Sequence, residues 1–277
     1  MSIELGKFNT LEVVKTVDFG VYLDGKEEGE ILLPTRYVPE NCVPGDLLNV
    51  FLYLDNEERL IATTLTPLVQ VGEFACLEVA WVNEFGAFLN WGLMKDLFVP
   101  FREQKMKMQV GKSYVVHAHI DEESYRIVAS AKIERYLSKE TPTYQAGAEE
   151  DILIWQKTDL GFKAIIDQQF PGLLYDSEIF QSLRTGMTLK AFVKQVRPDG
   201  KIDLILQKPG AAKVDDFASS LLDYIKEHGG AVKLNDKTPA DDIYQIFGVS
   251  KKTFKKAVGD LYKKHLIVLT DNGLKLA

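Results

Sequence analysis

Val17-Asp18-Phe19-Gly20-Val21-Tyr22-Leu23 sets a cadence that returns twice, as Val82-Asn83-Glu84-Phe85-Gly86-Ala87-Phe88-Leu89 and as Thr158-Asp159-Leu160-Gly161-Phe162-Lys163-Ala164. In each copy a second glycine follows 25 positions after the first, at Gly45, Gly111 and Gly186. Pro34, Pro100 and Tyr175 stand 14 positions after the first glycine. A basic residue 14 or 15 positions past the second glycine opens an apolar run: Arg59-Leu60-Ile61, Arg126-Ile127-Val128 and Lys201-Ile202-Asp203-Leu204. Shared spacing on this scale marks one structural unit used three times.

Within the first copy the apolar runs are short, β-branched and aromatic: Leu11 to Val17, Val21 to Leu23, Ile31 to Leu33, Leu47 to Leu54 and Arg59 to Thr64. Gly, Pro, Asp and Asn stand at the breaks. This pattern predicts five strands. An open sheet of that size would leave unprotected edges, so a five-stranded Greek-key barrel of the OB type, with a partial opening, is expected. Phe-Gly-x-aromatic on a strand, the later Gly172-Leu173-Leu174-Tyr175-Asp176-Ser177-Glu178 and the closing basic strand resemble the S1 RNA-binding domain. Where that pattern has His, this chain has Pro34, Pro100 and Tyr175.

After Lys208-Pro209-Gly210-Ala211-Ala212-Lys213 the period becomes helical. Phe217, Leu221, Leu222 and Ile225 share one face, and His228-Gly229-Gly230 ends the segment. A short strand from Ala231 to Leu234 leads to Thr238-Pro239-Ala240-Asp241, which reads as an N-cap followed by proline at the first helical position. That helix stops at Gly248, a third runs from about Lys251 to Lys264, and Asn272-Gly273 predicts a closing hairpin. Helix, strand, helix, turn, helix, hairpin is the layout of a winged helix-turn-helix. At about 100° per residue, Lys251, Lys252, Lys255, Lys256 and Lys263 fall on one arc of the third helix, opposite Phe254, Ala257, Val258, Leu261 and Tyr262.

The expected organisation is therefore mostly β with a C-terminal α+β domain. Residues 1–66, 67–140 and 141–213 form three tandem S1-like barrels, and 214–277 form the winged helix. This order resembles the CvfB/YitL family of bacterial S1-like RNA-binding regulators. The C-terminal segment carries the resemblance furthest: Asp236-Lys237-Thr238-Pro239, Ile243-Tyr244, Phe247-Gly248, Ser250-Lys251-Lys252, Phe254-Lys255-Lys256 and Leu261-Tyr262. The resemblance implies RNA binding and post-transcriptional control.

The chain has 277 residues, 46% hydrophobic and 26% charged, enough for several domains. It has no apolar run of about 18 residues and no signal-peptide pattern across Met1 to Phe19, so a cytoplasmic protein without a membrane partner is expected. Cys42 and Cys76 make neither a disulfide framework nor a metal motif. A net charge of −7 argues against a nucleic-acid partner only if it is evenly spread. Residues 1–66 carry 5 basic and 12 acidic side chains; 67–140 carry 9 and 10, 141–213 carry 9 and 9, and 214–277 carry 10 and 9. The acidity belongs to the first repeat.

The expected RNA contacts are Phe19, Tyr22 and Arg59 in the first repeat, and Phe85, Phe88 and Arg126 in the second. Lys163, Tyr175, Lys194, Arg197 and Lys201 follow in the third, then the five lysines of the third helix. Aromatic rings stack on bases and lysines neutralise phosphates. Two plainer readings stand beside these: strand aromatics also fill barrel cores, and lysine runs also make solvated helix faces. The Asp55 to Arg59 pair stands at the strand turn that in S1 domains adjoins the bound strand, with a local turn ion pair as its plainer reading, and the second repeat has Asp121 and Arg126 there. His117 and His119 alternate on one strand without a third ligand, so solvent-facing histidines rather than a metal site are expected. No phosphate loop, nucleophile elbow or zinc motif is present. A binding protein rather than an enzyme, with no cofactor or metal, is the expectation. The partner is single-stranded or loop RNA, with the acidic first repeat open to modulating affinity or docking a protein. A DNA-binding transcription regulator and a protein-docking adaptor are the alternatives.

Overall fold

The structure, a computed structural model, describes residues 3–179, 181–207, 212–270 and 273–277. The Lys208 to Ala211 part of the expected linker, and Asn272 of the expected turn, lie outside the described residues.

Each sequence repeat folds as one five-stranded barrel. The first comprises β1 (Phe8–Val17), β2 (Gly20–Asp24), β3 (Glu30–Pro34), β4 (Leu47–Leu54) and β5 (Leu60–Thr63). The second comprises β6 (Phe74–Val82), β7 (Gly86–Asn90), β8 (Leu97–Pro100), β9 (Ser113–Ile120) and β10 (Ile127–Ser130). The third comprises β11 (Glu149–Thr158), β12 (Gly161–Ile166), β13 (Phe170–Tyr175), β14 (Thr188–Val196) and β15 (Ile202–Ile205). All three close in the same order, the third strand pairing in parallel with the fifth and the first with the fourth. The expected partial opening is absent from the pairing, because the one parallel contact completes the ring.

Strand alternation fills each barrel. Leu11, Val13, Val21, Leu23, Ile31 and Leu33 point inward in the first, and Ile152, Ile154, Ala164, Ile166, Leu174 and Val193 are buried in the third. The repeating glycine is a steric requirement. A Cβ at Gly20, Gly86 or Gly161 would strike the carbonyl oxygen of Leu33, Val99 or Leu174, and would come within 3.0, 3.0 and 2.9 Å of the Cα of Pro34, Pro100 and Tyr175. The 14-residue spacing in the sequence is thus the cross-strand contact itself.

Barrels one and two form one unit. Phe51 and Tyr53, on β4, join the apolar cluster of the second barrel, where Phe51 meets Trp91 edge to face at 5.8 Å. Burying such rings is worth roughly 1.5–3 kcal/mol each, so β4 serves two cores.

The second unit holds the third barrel and the C-terminal domain. Here α1 (Ala212–Glu227), β16 (Ala231–Val232), α2 (Ala240–Phe247), α3 (Lys251–Lys263), β17 (Ile267–Thr270) and β18 (Gly273–Leu276) make a winged helix with sheet order β16-β18-β17. Phe217, Leu221, Ile225, Ile243, Phe254, Ala257 and Leu261 form its core. Two local expectations change. The N-cap of α2 is Pro239, not Thr238, whose hydroxyl instead accepts from the Asn235 backbone at 2.9 Å. Tyr262, expected on the apolar side of α3, is exposed. Ser250 caps α3, accepting from Thr253 N at 3.2 Å.

The histidines of β9 are not solvent-facing. His117 is buried between Phe74 and Tyr136, with ring centroids at 4.6 and 4.1 Å, and His119 is half-buried with Nε2 3.1 Å from the Tyr136 hydroxyl. The bulge-free register of β9 against β6 and β10 places both rings outside the barrel, but the Ile133–Arg135 turn and Tyr136 cover them. Burial, with the neighbouring His119 adding to it, pushes the His117 imidazole down to about 4. The unfolded chain takes up its proton near 6.5, before the folded one does, so stability is complete above that pH and falls as pH drops from about 6.5 to 4. His117→Phe is expected to remove a loss on the order of 3 kcal/mol across that window, read from urea unfolding at pH 7.5 and 4.5. An unchanged pH dependence would assign it to other groups.

Candidate nucleic-acid interface

The first strand of every barrel is bulged at one place. Register jumps between Val13 and Lys15, between Val79 and Trp81, and between Ile154 and Gln156. The bulge reverses side-chain parity, so Lys15 faces Tyr22, Trp81 faces Phe88 and Gln156 faces Lys163 on the outer surface.

On the first barrel Phe19 is 56% exposed and lies edge to face with half-buried Tyr22, centroids 6.3 Å apart, while the Lys15 ammonium sits 4.8 Å from the Tyr22 ring. Arg59 pairs with Asp55 at 2.8 Å and Glu57 at 2.9 Å. On the second barrel Phe85 is 65% exposed, and Phe88 is half-buried beneath Trp81, stacked at 3.7 Å and 2°. None of these rings fills a barrel interior; the inward positions of β2 and β7 belong to Val21, Leu23, Ala87 and Leu89. The Asp121–Arg126 side-chain pair does not form. Asp121 binds Arg102 at 2.7 Å, and Arg126 instead reaches Glu58 of the first barrel at 2.5 Å. Only a backbone bond, Asp121 N to Arg126 O at 2.9 Å, links these two residues.

On the third barrel Leu160, 64% exposed, occupies the place of Phe19 and Phe85. The Lys163 ammonium lies 4.9 Å from the ring of Trp155, the bulge residue. Lys194 pairs with Glu178 at 2.6 Å and Lys201 with Asp199 at 2.9 Å. Arg197 is held more firmly: it contacts the buried Asp203 through Nε at 2.9 Å and Nη2 at 2.7 Å, and its Nη2 also donates to the Tyr175 hydroxyl. Burial opposes charge on Asp203, yet the bonds from Arg197 and Gln195 outweigh it and hold the carboxyl below its usual range. Tyr175 and Arg197 therefore brace the barrel face as well as standing on it.

On α3, Lys252, Lys255, Lys256 and Lys263 are exposed and Lys251 is half-buried. Ion pairs elsewhere in the chain hold lysines such as Lys190, Lys194 and Lys264; none of the five has an acidic partner among the described residues. The N-terminus of α3 also borders a cleft of about 530 Å³, in which Ser250 and Lys251 face Gln181 and Ser182 of the third barrel's edge.

Sequence reading overlooked Trp81, Phe98, Lys95 and Glu58. Simple alternation carried through β6 from buried Val79 turns Trp81 inward, and only the bulge turns it out. The available signal was its fixed place five residues before Gly86, matching Lys15 before Gly20.

Three closed barrels bearing an outward aromatic and basic face, followed by a winged helix, define a multidomain nucleic-acid-binding regulator. Residues 5–65 match the S1 domain family and residues 219–276 the CvfB-like winged helix domain. The protein YitL of Bacillus subtilis is 30% identical over 277 residues, covering 95% of this chain and 90% of YitL. Conserved virulence factor B of Staphylococcus haemolyticus is 21% identical over 281 residues, covering 97% and 93%. A crystal structure of a multidomain protein with nucleic acid binding domains from Streptococcus pneumoniae is 24% identical, covers 99% of this chain and 98% of that one, and superposes with a TM-score of 0.44. The chain belongs to the CvfB/YitL family. No helix among the described residues is long and apolar enough to cross a membrane.

Arg197→Met would strand the buried Asp203 carboxylate and is expected to lower stability, measured by urea unfolding at pH 7. In the parent chain the lowered Asp203 carboxyl contributes stability above its ordinary range near 4, and that contribution is lost as pH falls through its folded value. The gap between variant and parent should accordingly shrink in acid. A gap that does not depend on pH would show that lost packing, not the charge pair, sets the cost.

Proposed function

We propose that the chain is an RNA-binding regulator that holds single-stranded or loop RNA by phosphate contact and base stacking, and acts in post-transcriptional control of gene expression. The observation that carries this reading is the set of unpaired lysines on α3. Phosphate neutralisation with counterion release supplies most of the affinity for a nucleic acid, and lysines already committed to carboxylates supply less of it. The stripe contains no Arg, Asn or Gln, the side chains that make bidentate contacts to base edges in a duplex groove. It suits backbone positioning without sequence readout.

The third barrel extends that surface. Lys251 shares a cleft with Gln181 and Ser182, and the ion pairs at Lys194 and Lys201 are exposed ones of the kind worth roughly 0–1 kcal/mol, which a phosphate can displace. The outward rings of the first two barrels add stacking, about 1–3 kcal/mol per base and tolerant of sequence. The first barrel, with its excess of acid, contributes little phosphate attraction of its own. Family membership adds the regulatory role to this reading.

Titrating the full chain with single-stranded RNA and with duplex DNA at several salt concentrations should give tighter RNA binding and a linear fall of log affinity with log salt. Tighter binding to duplex DNA overturns the proposal in favour of a transcription regulator. Lys252→Glu combined with Lys256→Glu should weaken binding to every RNA sequence and flatten the salt slope by about 1.4, at roughly 0.7 per lost single-strand phosphate contact. An unaltered slope would mean that the stripe is a solvated helix face.

A further inference from the structure

On β15 of the third barrel Asp203 takes the place that Ile61 and Val128 hold in the other two. Each of the three pairs in parallel with the residue two positions before the landmark Pro34, Pro100 or Tyr175. Its neighbours Ile202 and Leu204 fill the interior, so Asp203 lies on the outer face and is buried by what covers it. A carboxylate where the other copies carry an aliphatic side chain adds the desolvation of a charge, and barrel closure does not require it. Two further features set this barrel apart. Its landmark is tyrosine rather than proline. Its β14 shifts register between Val193 and Gln195, which sets Gln195 rather than Lys194 opposite Asp203, whereas β4 and β9 pair with their fifth strands without a shift.

The network that results leaves particular donors over. Asp203 accepts from Arg197 Nε on Oδ2 at 2.9 Å, from Arg197 Nη2 on Oδ1 at 2.7 Å and from the Gln195 amide on Oδ2 at 2.7 Å. The second hydrogen of Nη2 goes to the Tyr175 hydroxyl oxygen. A guanidinium carries five N–H donors, so both hydrogens of Nη1 remain, and they meet no acceptor among the described residues. The Tyr175 hydroxyl accepts from Arg197, and its own proton likewise meets no acceptor among the described residues. The Arg197 side chain stays 32% exposed. A fork held on a carboxylate in this bidentate way has its direction fixed before a ligand arrives.

Arg197 Nη1 and the Tyr175 hydroxyl thus offer donors alone, because the acceptor oxygens of Asp203 are already engaged. Base edges mix donors with acceptors, whereas the two non-bridging oxygens of a phosphodiester only accept. We infer that Tyr175 and Arg197 form a fixed clamp for one phosphate of the bound strand, and that Asp203 is the positioning residue that sets it. The clamp rests on the RNA-binding reading and deepens it. It differs in kind from the α3 stripe: Arg197 with Asp203 carries no net charge, so the contact depends on direction rather than on long-range attraction, and contacts of that kind fix the register of a strand on its protein.

Asp203→Asn separates position from charge, because the two predict opposite signs. The substitution makes the face more positive by one charge. If Arg197 acts as a charge alone, the full chain should bind a single-stranded uridine oligomer more tightly; if Asp203 positions the clamp, binding should weaken about tenfold, the low end for one hydrogen bond to a charged group, with a salt slope no shallower than the parent's. Tyr175→Phe keeps the ring and removes one uncharged donor, so it should weaken binding by about the same factor while the salt slope and thermal unfolding stay as in the parent. Added to Asp203→Asn it should cost nothing more. Parental or tighter binding by a folded Asp203→Asn variant overturns the inference, and so does parental binding by Tyr175→Phe. If Asp203→Asn is unfolded at the binding temperature, Tyr175→Phe decides alone. Failure of the parent chain to bind the oligomer at any salt concentration defeats the RNA reading and the clamp together, whereas a parent that binds and a Tyr175→Phe variant that binds equally well defeat the clamp alone.

Discussion

Closing a sheet of only five strands forces sharp curvature on the first two, and the rest of this molecule follows from how the backbone meets that demand. The second strand begins with a glycine pressed against the carbonyl of the third, where no Cβ fits. The first strand takes a bulge further along the same pair, at Val14, Ala80 or Trp155. These two features recur in all three barrels. Together they bend the sheet and turn the next side chain outward, so the curvature that closes the barrel also builds its outer face. Trp81 over Phe88, and Lys15 over Tyr22, are products of closure.

Chemistry is unevenly divided over that common frame. The first barrel spends its β4 face on the core of the second, through Phe51 and Tyr53, and its acidic turn on Arg126 and Lys95. It acts within the chain as a support for its neighbour. The third barrel ties Arg197 to Asp203 but leaves its other cations in exposed pairs. The winged helix alone offers a run of lysines with no acidic partner among the described residues. A net charge of −7 therefore describes no single surface of the molecule.

Much of this was legible beforehand. The spacing of Gly20, Pro34, Gly45 and Arg59 located five strands closely, because each landmark is forced by a local backbone condition: a close approach, a turn or a strand start. Gly248, Ser250 and the lysine arc located α2 and α3 for the same reason. The local errors also had local causes. The Thr238-Pro239 dipeptide reads as a cap at Thr238, one residue early, because that hydroxyl accepts from the Asn235 backbone instead. His117 and His119 were assigned to solvent, because alternation tells which face of a strand a residue takes and not what lies over that face.

The sequence by itself determined the modules, their order and the family to which the chain belongs, since these depend on periodicity and on glycine, proline and cap positions along the chain. Only the tertiary structure decided which charges are spent and which are free. Arg126 turned from Asp121 to Glu58, Arg197 was drawn to Asp203, and Trp81 was brought to the surface beside Asp96. Each outcome depends on groups far apart in the chain, or on a one-residue bulge that reverses strand parity, and neither leaves a mark in local sequence.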